Sequence, residues 1–92
     1  MTVLDILIVS LGFSNDGTEV RGDVMFKLTD AEGEDKSLTM TCTCRASKRI
    51  RPDALLIGDA IRQLRRLPEV RSGEVRLKFA KGLKPIQQWK AA

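Results

Sequence analysis

Cys42 and Cys44 are the only cysteines in this 92-residue chain, and it contains no histidine. The missing imidazole removes Ser-His-Asp and Cys-His catalysis, most catalytic zinc sites and the usual acid/base group near neutral pH. The C-x-C spacing places both thiols on one face of a strand, roughly 7 Å apart, which is too far for a disulfide without distortion. A zinc ion there would need two more ligands, from carboxylates or from a second subunit. The reading adopted is two small apolar side chains continuing the row begun by Leu38 and Met40, with no metal and no cofactor.

Four acids crowd one turn: Asp30, Glu32, Glu34 and Asp35. Their spacing does not match an EF-hand loop, and such residues are common in solvated hairpin turns. No pair of carboxylates falls in an obvious apolar pocket, where a raised pKa would mark a general acid. The residue types therefore argue against an enzyme.

The basic residues are the remaining candidates. Arg62 and Arg66 lie four apart near the end of an amphipathic segment, with Arg65 on the adjoining flank. Cations there oppose the helix dipole by about 0.3–1 kcal/mol each, and Asp59–Arg62 and Arg65–Glu69 have pairing distance along a helix. That account omits Lys48, Arg49 and Arg51 before the segment and Arg76, Lys78, Lys81 and Lys84 after it. Lys48, Arg49, Arg51, Arg62, Arg65 and Arg66 are therefore a candidate surface for a nucleic-acid backbone or an acidic protein partner. No helix-turn-helix pair, zinc finger or RNP-type aromatic motif is present, so contact with a nucleic acid would be mostly to its backbone. Trp89, the only tryptophan, either caps an open edge of the core or anchors a partner.

These residues need elements to position them. Thr2–Phe13 is apolar on both alternating sets, Val3, Leu7, Val9, Leu11 and Leu4, Ile6, Ile8, which suits a central strand or one lying in an oligomer interface. Ser14-Asn15-Asp16-Gly17 reads as a hairpin turn. Thr18–Thr29 then points Val20, Val24, Phe26 and Leu28 one way. Ser37–Ala46 sets Leu38, Met40, Cys42, Cys44 and Ala46 inward, and Ser37, Thr39, Thr41, Thr43 and Arg45 outward. Asp53–Leu67 has helical periodicity, with Asp53 as the favoured N-cap and Ala54, Ile57, Ala60, Ile61, Leu64 and Leu67 on one side. Pro68 ends or kinks it. Glu74–Ala80 alternates again, with Val75, Leu77 and Phe79 inward.

The order β-β-β-α-β predicts an α+β two-layer sandwich, a mainly antiparallel four-stranded sheet with one helix on one face. Residues 1–84 are expected to form a single domain and 85–92 a C-terminal tail. The first apolar run carries Asp5, lacks a basic leader and is too short to span a bilayer, so the expectation is a cytoplasmic protein with no membrane partner.

Charge is divided along the chain. Residues 1–44 hold three Lys/Arg against eight Asp/Glu, a net of −5, and residues 45–92 hold thirteen against four, a net of +9. Opposite charge on the two halves and a first strand apolar on both faces together predict a small non-enzymatic interaction domain that self-associates, as a homodimer, with acidic turns set against basic segments. A nucleic-acid backbone binder is the alternative.

Overall fold

In a computed structural model, described over residues 1–81, three long strands form an antiparallel meander: β1 (Thr2–Phe13), β2 (Glu19–Thr29) and β3 (Asp35–Arg45). Helix α1 (Pro52–Arg65), the single turn α2 (Pro68–Arg71) and the two-residue strand β4 (Lys78–Phe79) follow. The sheet order is β3-β2-β1-β4, with β4 parallel to β1 and the other neighbours antiparallel. This is the α+β architecture the sequence pattern predicts. Lys84 and Trp89 lie outside the described residues.

Both hairpins are closed by an aspartate and a glycine. Gly17 takes φ 74°, a conformation costly for residues with a Cβ. Beside it the Asp16 carboxylate accepts from the Ser14 and Thr18 hydroxyls, each at 2.7 Å, and from the Thr18 N–H at 3.1 Å. These bonds favour the ionised form, those from Ser14 and Thr18 side chains most, and hold its pKa down at about 2. At the other hairpin Asp30 accepts from the N–H groups of Glu32 and Glu34 and pairs with Lys36 at 3.0 Å, while Gly33 takes φ 82°. The acidic turn is thus organised by one of its own carboxylates.

β2 and β3 keep the expected alternation. Val20, Val24, Phe26 and Leu28 are buried, as are Met40 and Cys42, while Ser37, Thr39, Thr41, Thr43 and Arg45 are exposed. β1 departs from simple alternation, because its register against β2 shifts between Val3 and Asp5 and again between Ile8 and Ser10. Each shift inserts one extra residue, Leu4 and Val9, and reverses which parity faces the core. The facing residues become Val3, Ile6, Ile8 and Leu11, paired with Leu28, Phe26, Val24 and Gly22. Leu4 and Val9 are left 44% and 60% exposed.

The second bulge explains Gly22. A Cβ there would collide with the Ser10 carbonyl oxygen and lie 2.7 Å from Leu56 Cδ1. Only a residue without a side chain lets the bulged strand and α1 approach here together.

Helix α1 buries Asp53, Leu56, Ile57, Ala60 and Leu64 against the sheet. Its N-cap is Arg51, without a side-chain cap bond, and Pro52 is the first helical residue. This corrects the expected N-cap: Asp53 lies inside the first turn and is fully buried. The expected apolar side omitted both Leu56, which is buried, and Leu55, which is half-buried, its carbonyl accepting from the Cys44 thiol at 3.4 Å. Pro68 ends α1 and also begins α2.

The fourth strand is shorter than expected. The Val75 N–H bonds to Glu69 O at 2.8 Å, and Gly73 takes φ 85°, so this stretch closes α2 before it can join the sheet. The ladder to β1 begins with Lys78 N to Met1 O at 3.0 Å and includes Ala80 N to Val3 O at 2.8 Å. Phe79, expected inward, is 38% exposed.

Candidate interaction surfaces

The six candidate basic residues are all exposed, but α1 separates them into two groups. Lys48, Arg49 and Arg51 stand at its start, beside the β1–β2 turn, where Ala46 N donates to Thr18 O at 2.8 Å. Arg62, Arg65 and Arg66 stand in and just past its last turn. A fourteen-residue helix spans roughly 21 Å, so the two groups are about a helix length apart.

Two of the six already face carboxylates. Arg62 holds Asp59 Oδ1 at 3.1 Å, the i,i+3 pair expected from the sequence. Arg51 reaches the buried Asp53, with Nη2 3.0 Å from Oδ2. That contact is poorly aligned for a hydrogen bond, and neither carboxylate oxygen accepts one from the described residues. The first-turn position, where the helix dipole favours an anion, and the guanidinium together compensate the charge. Lys48, Arg49, Arg65 and Arg66 have no ion pair among the described residues.

Sequence reasoning missed one basic neighbour. Arg45, at the end of β3, lines a shallow cleft of about 510 Å³ with Arg62, Thr43, Ile50 and Leu55. Its place in the outward set of a strand gave no sign that the twisted edge would meet α1.

Cys44 also lines this cleft, and Cys42 lies two residues before it on the same strand face. Cys42 is fully buried, and burial, with Asp59 nearby, pushes its pKa up to about 12. Burial raises that of Cys44 as well. Gln63 Nε2 donates to Asp59 at 2.9 Å and Thr41 O at 3.1 Å, tying α1 to β3 across the row of small side chains. Raised thiol pKa values oppose nucleophilic or metal-binding chemistry, because both need the thiolate. Among the described residues no cluster of three or more Cys, Asp or Glu side chains could hold a metal ion.

The second surface is the free side of β1. β4 covers it at Thr2 and Val3, and among the described residues no strand lies beside Leu7–Phe13. That seven-residue run, LIVSLGF, has no charge and no proline. Val9 and Phe13 are 60% and 55% exposed along it. On the outer sheet face Leu7 pairs with Met25, and both are half-buried. The opposite edge, β3, differs: it begins with Asp35-Lys36 and ends with Arg45, and its outward residues are otherwise Ser and Thr. Edge charges of this kind deter pairing with another chain.

A two-layer α+β domain with one charge-guarded sheet edge, and one that no strand covers at Leu7–Phe13 among the described residues, is the class that fold and surface define. Comparison with known proteins adds no relative: no family pattern, no curated protein and no solved structure matches this chain. No helix among the described residues is long and apolar enough to cross a membrane.

Proposed function

We propose that this protein is a small non-enzymatic interaction domain that works by self-association through β1. The observation that carries the reading is the uncharged Leu7–Phe13 edge, which has no neighbouring strand among the described residues. Short β-prone segments without charge or proline are aggregation hazards when left open, and pairing with one partner edge removes the hazard. The raised thiol pKa values and the absence of histidine support a binding role over catalysis. Light scattering on the full chain tests the reading. The expected mass is that of a dimer, falling to a monomer in Val9→Lys, which places a charge on the exposed bulge. A monomeric mass across the accessible concentration range refutes it.

A second reading, binding of a nucleic-acid backbone, is favoured by one observation: Arg45 and Arg62 flank a common cleft that continues toward Ile50 in the basic connector. Neutralising phosphates releases counterions, so such binding weakens steeply with salt. A labelled single strand or duplex should shift at low salt and lose its shift in Arg45→Glu/Arg62→Glu. No shift at low salt removes this reading.

A further inference from the structure

We infer that two copies pair antiparallel along β1 in one particular register, with Leu7 of each opposite Gly12 of the other and Ile8 opposite Leu11. This rests on the self-association proposed above and specifies its geometry. Opposed residues in an antiparallel ladder project to the same sheet face. In an unbroken strand a two-fold pairing therefore joins residues of equal parity. β1 is broken by the Val9 bulge, so its core-facing residues are Ile6 and Ile8 before it and Leu11 after it, while Asp5 and Leu7, then Ser10 and Gly12, face outward. Matching faces across the seam then requires an even-numbered residue before the bulge to meet an odd-numbered one after it, and the reverse.

Two such registers fit. One opposes Leu7 with Ser10 and Asp5 with Gly12, and draws the partner toward Val3, whose carbonyl is already bonded by Ala80 N at 2.8 Å. The other opposes Leu7 with Gly12, Ile8 with Leu11 and Val9 with Ser10, and stays within the stretch that no strand covers among the described residues. It also sets an apolar pair, Ile8–Leu11, on the helix-bearing side twice over, and places no charge against any residue in the seam. Cross-strand apolar pairs of this kind are the unit of sheet stabilisation. The two-fold axis stands perpendicular to the sheet, so both α1 helices lie on the same face of one sheet six strands wide, in the order β3-β2-β1-β1-β2-β3, and each outer edge is a charged β3. The interface is isologous and closed, which ends assembly at two copies.

Cysteine cross-linking tests the register. Opposed residues are about 4.5–5.5 Å apart between Cα atoms, within disulfide range, whereas Leu7 and Gly12 of one strand are roughly 17 Å apart. Among the described residues nothing lies within 4 Å of where a Gly12 Cβ would stand, so the substitution fits. Leu7→Cys/Gly12→Cys should give a covalent dimer under mild oxidation, and neither single variant should. If the untagged protein is a dimer but only Leu7→Cys/Ser10→Cys cross-links, this register is wrong and self-association stands. If light scattering gives a monomer, both fall, and the edge belongs to residues 82–92 or to a segment of another protein.

Discussion

At the scale of single residues, burial decides which groups are chemically available. Asp53 illustrates this. Spacing marked it as an acidic residue near a helix start, but Pro52 takes the first helical position and leaves Asp53 two residues past the N-cap, too far in to cap. The sequence carries no signal for that choice, since Pro and Asp both favour helix starts. Once inside, Asp53 is fully buried and faces Arg51, itself 63% exposed on its side chain. Arg51→Ala should destabilise the fold by roughly 1–3 kcal/mol, below the range for an uncompensated buried charge because solvent already screens the guanidinium. Urea denaturation of the variant against Arg49→Ala, a nearby arginine with no ion pair among the described residues, checks it. Equal midpoints would mean that Asp53 does not depend on Arg51. The thiols give a second prediction. The pKa of Cys42 is raised from 9.0 to about 12, so the native state keeps a proton that the unfolded state releases. That stabilisation is complete below pH 9 and lost as pH rises toward 12. At neutral pH Cys42 should resist alkylation in the native protein and react only on unfolding, as mass spectrometry of the labelled peptides would read.

At the scale of elements, the sequence was most legible where one face is wet and one dry. Ser37–Ala46 alternates in the sequence, and β3 alternates in burial with the same phase. β1 was less legible because it is apolar throughout; only backbone register against β2 reveals the bulges that reassign its faces. Glu74–Ala80 was over-read: its alternation is real, but a hydrogen bond from Val75 to α2 holds back the first half. Gly22 is the element-scale test of the bulge. Gly22→Ala would push a methyl into the Ser10 carbonyl and against Leu56, and should cost about 1–3 kcal/mol, as overpacking typically does. Gly12→Ala, where nothing lies within 4 Å, should change little. A urea midpoint for Gly22→Ala equal to that of the parent would show that β1 does not bulge there. The β1–β2 turn has its own signature in acid. The Asp16 pKa is lowered from 3.8 to about 2, so its contribution is present above pH 3.8 and lost as pH falls through about 2. Asp16→Asn should flatten that part of the acid-unfolding profile.

At the scale of the whole molecule, the division of charge along the sequence does not become two oppositely charged hemispheres. The acidic turn shares a cleft with Leu67 and Glu69, next after Arg65 and Arg66 at the end of α1, while the basic connector lies at the other end beside the β1–β2 turn. The candidate basic surface was therefore only half legible. Residue types identified exposed cations, but the helix that separates them and the strand end that brings Arg45 to Arg62 are three-dimensional facts. This geometry also revises what holds a dimer together. In the register inferred above, the acidic turn between β2 and β3 of one copy and the basic connector beside the β1–β2 turn of the other lie about three strand spacings apart across the seam, or roughly 14 Å. The Debye length at physiological ionic strength is about 8 Å, so these charges barely sense one another. Association then depends on ladder hydrogen bonds and the Ile8–Leu11 pairs, which salt screens little. Phosphate binding by Arg45, Arg62 and the connector would behave oppositely, losing affinity as a power of salt concentration. A salt titration therefore separates the two functional readings in one protein preparation. The dimer fraction by sedimentation should be nearly constant from low to high salt. Dissociation on raising salt would place charged groups in the interface and overturn the β1 seam.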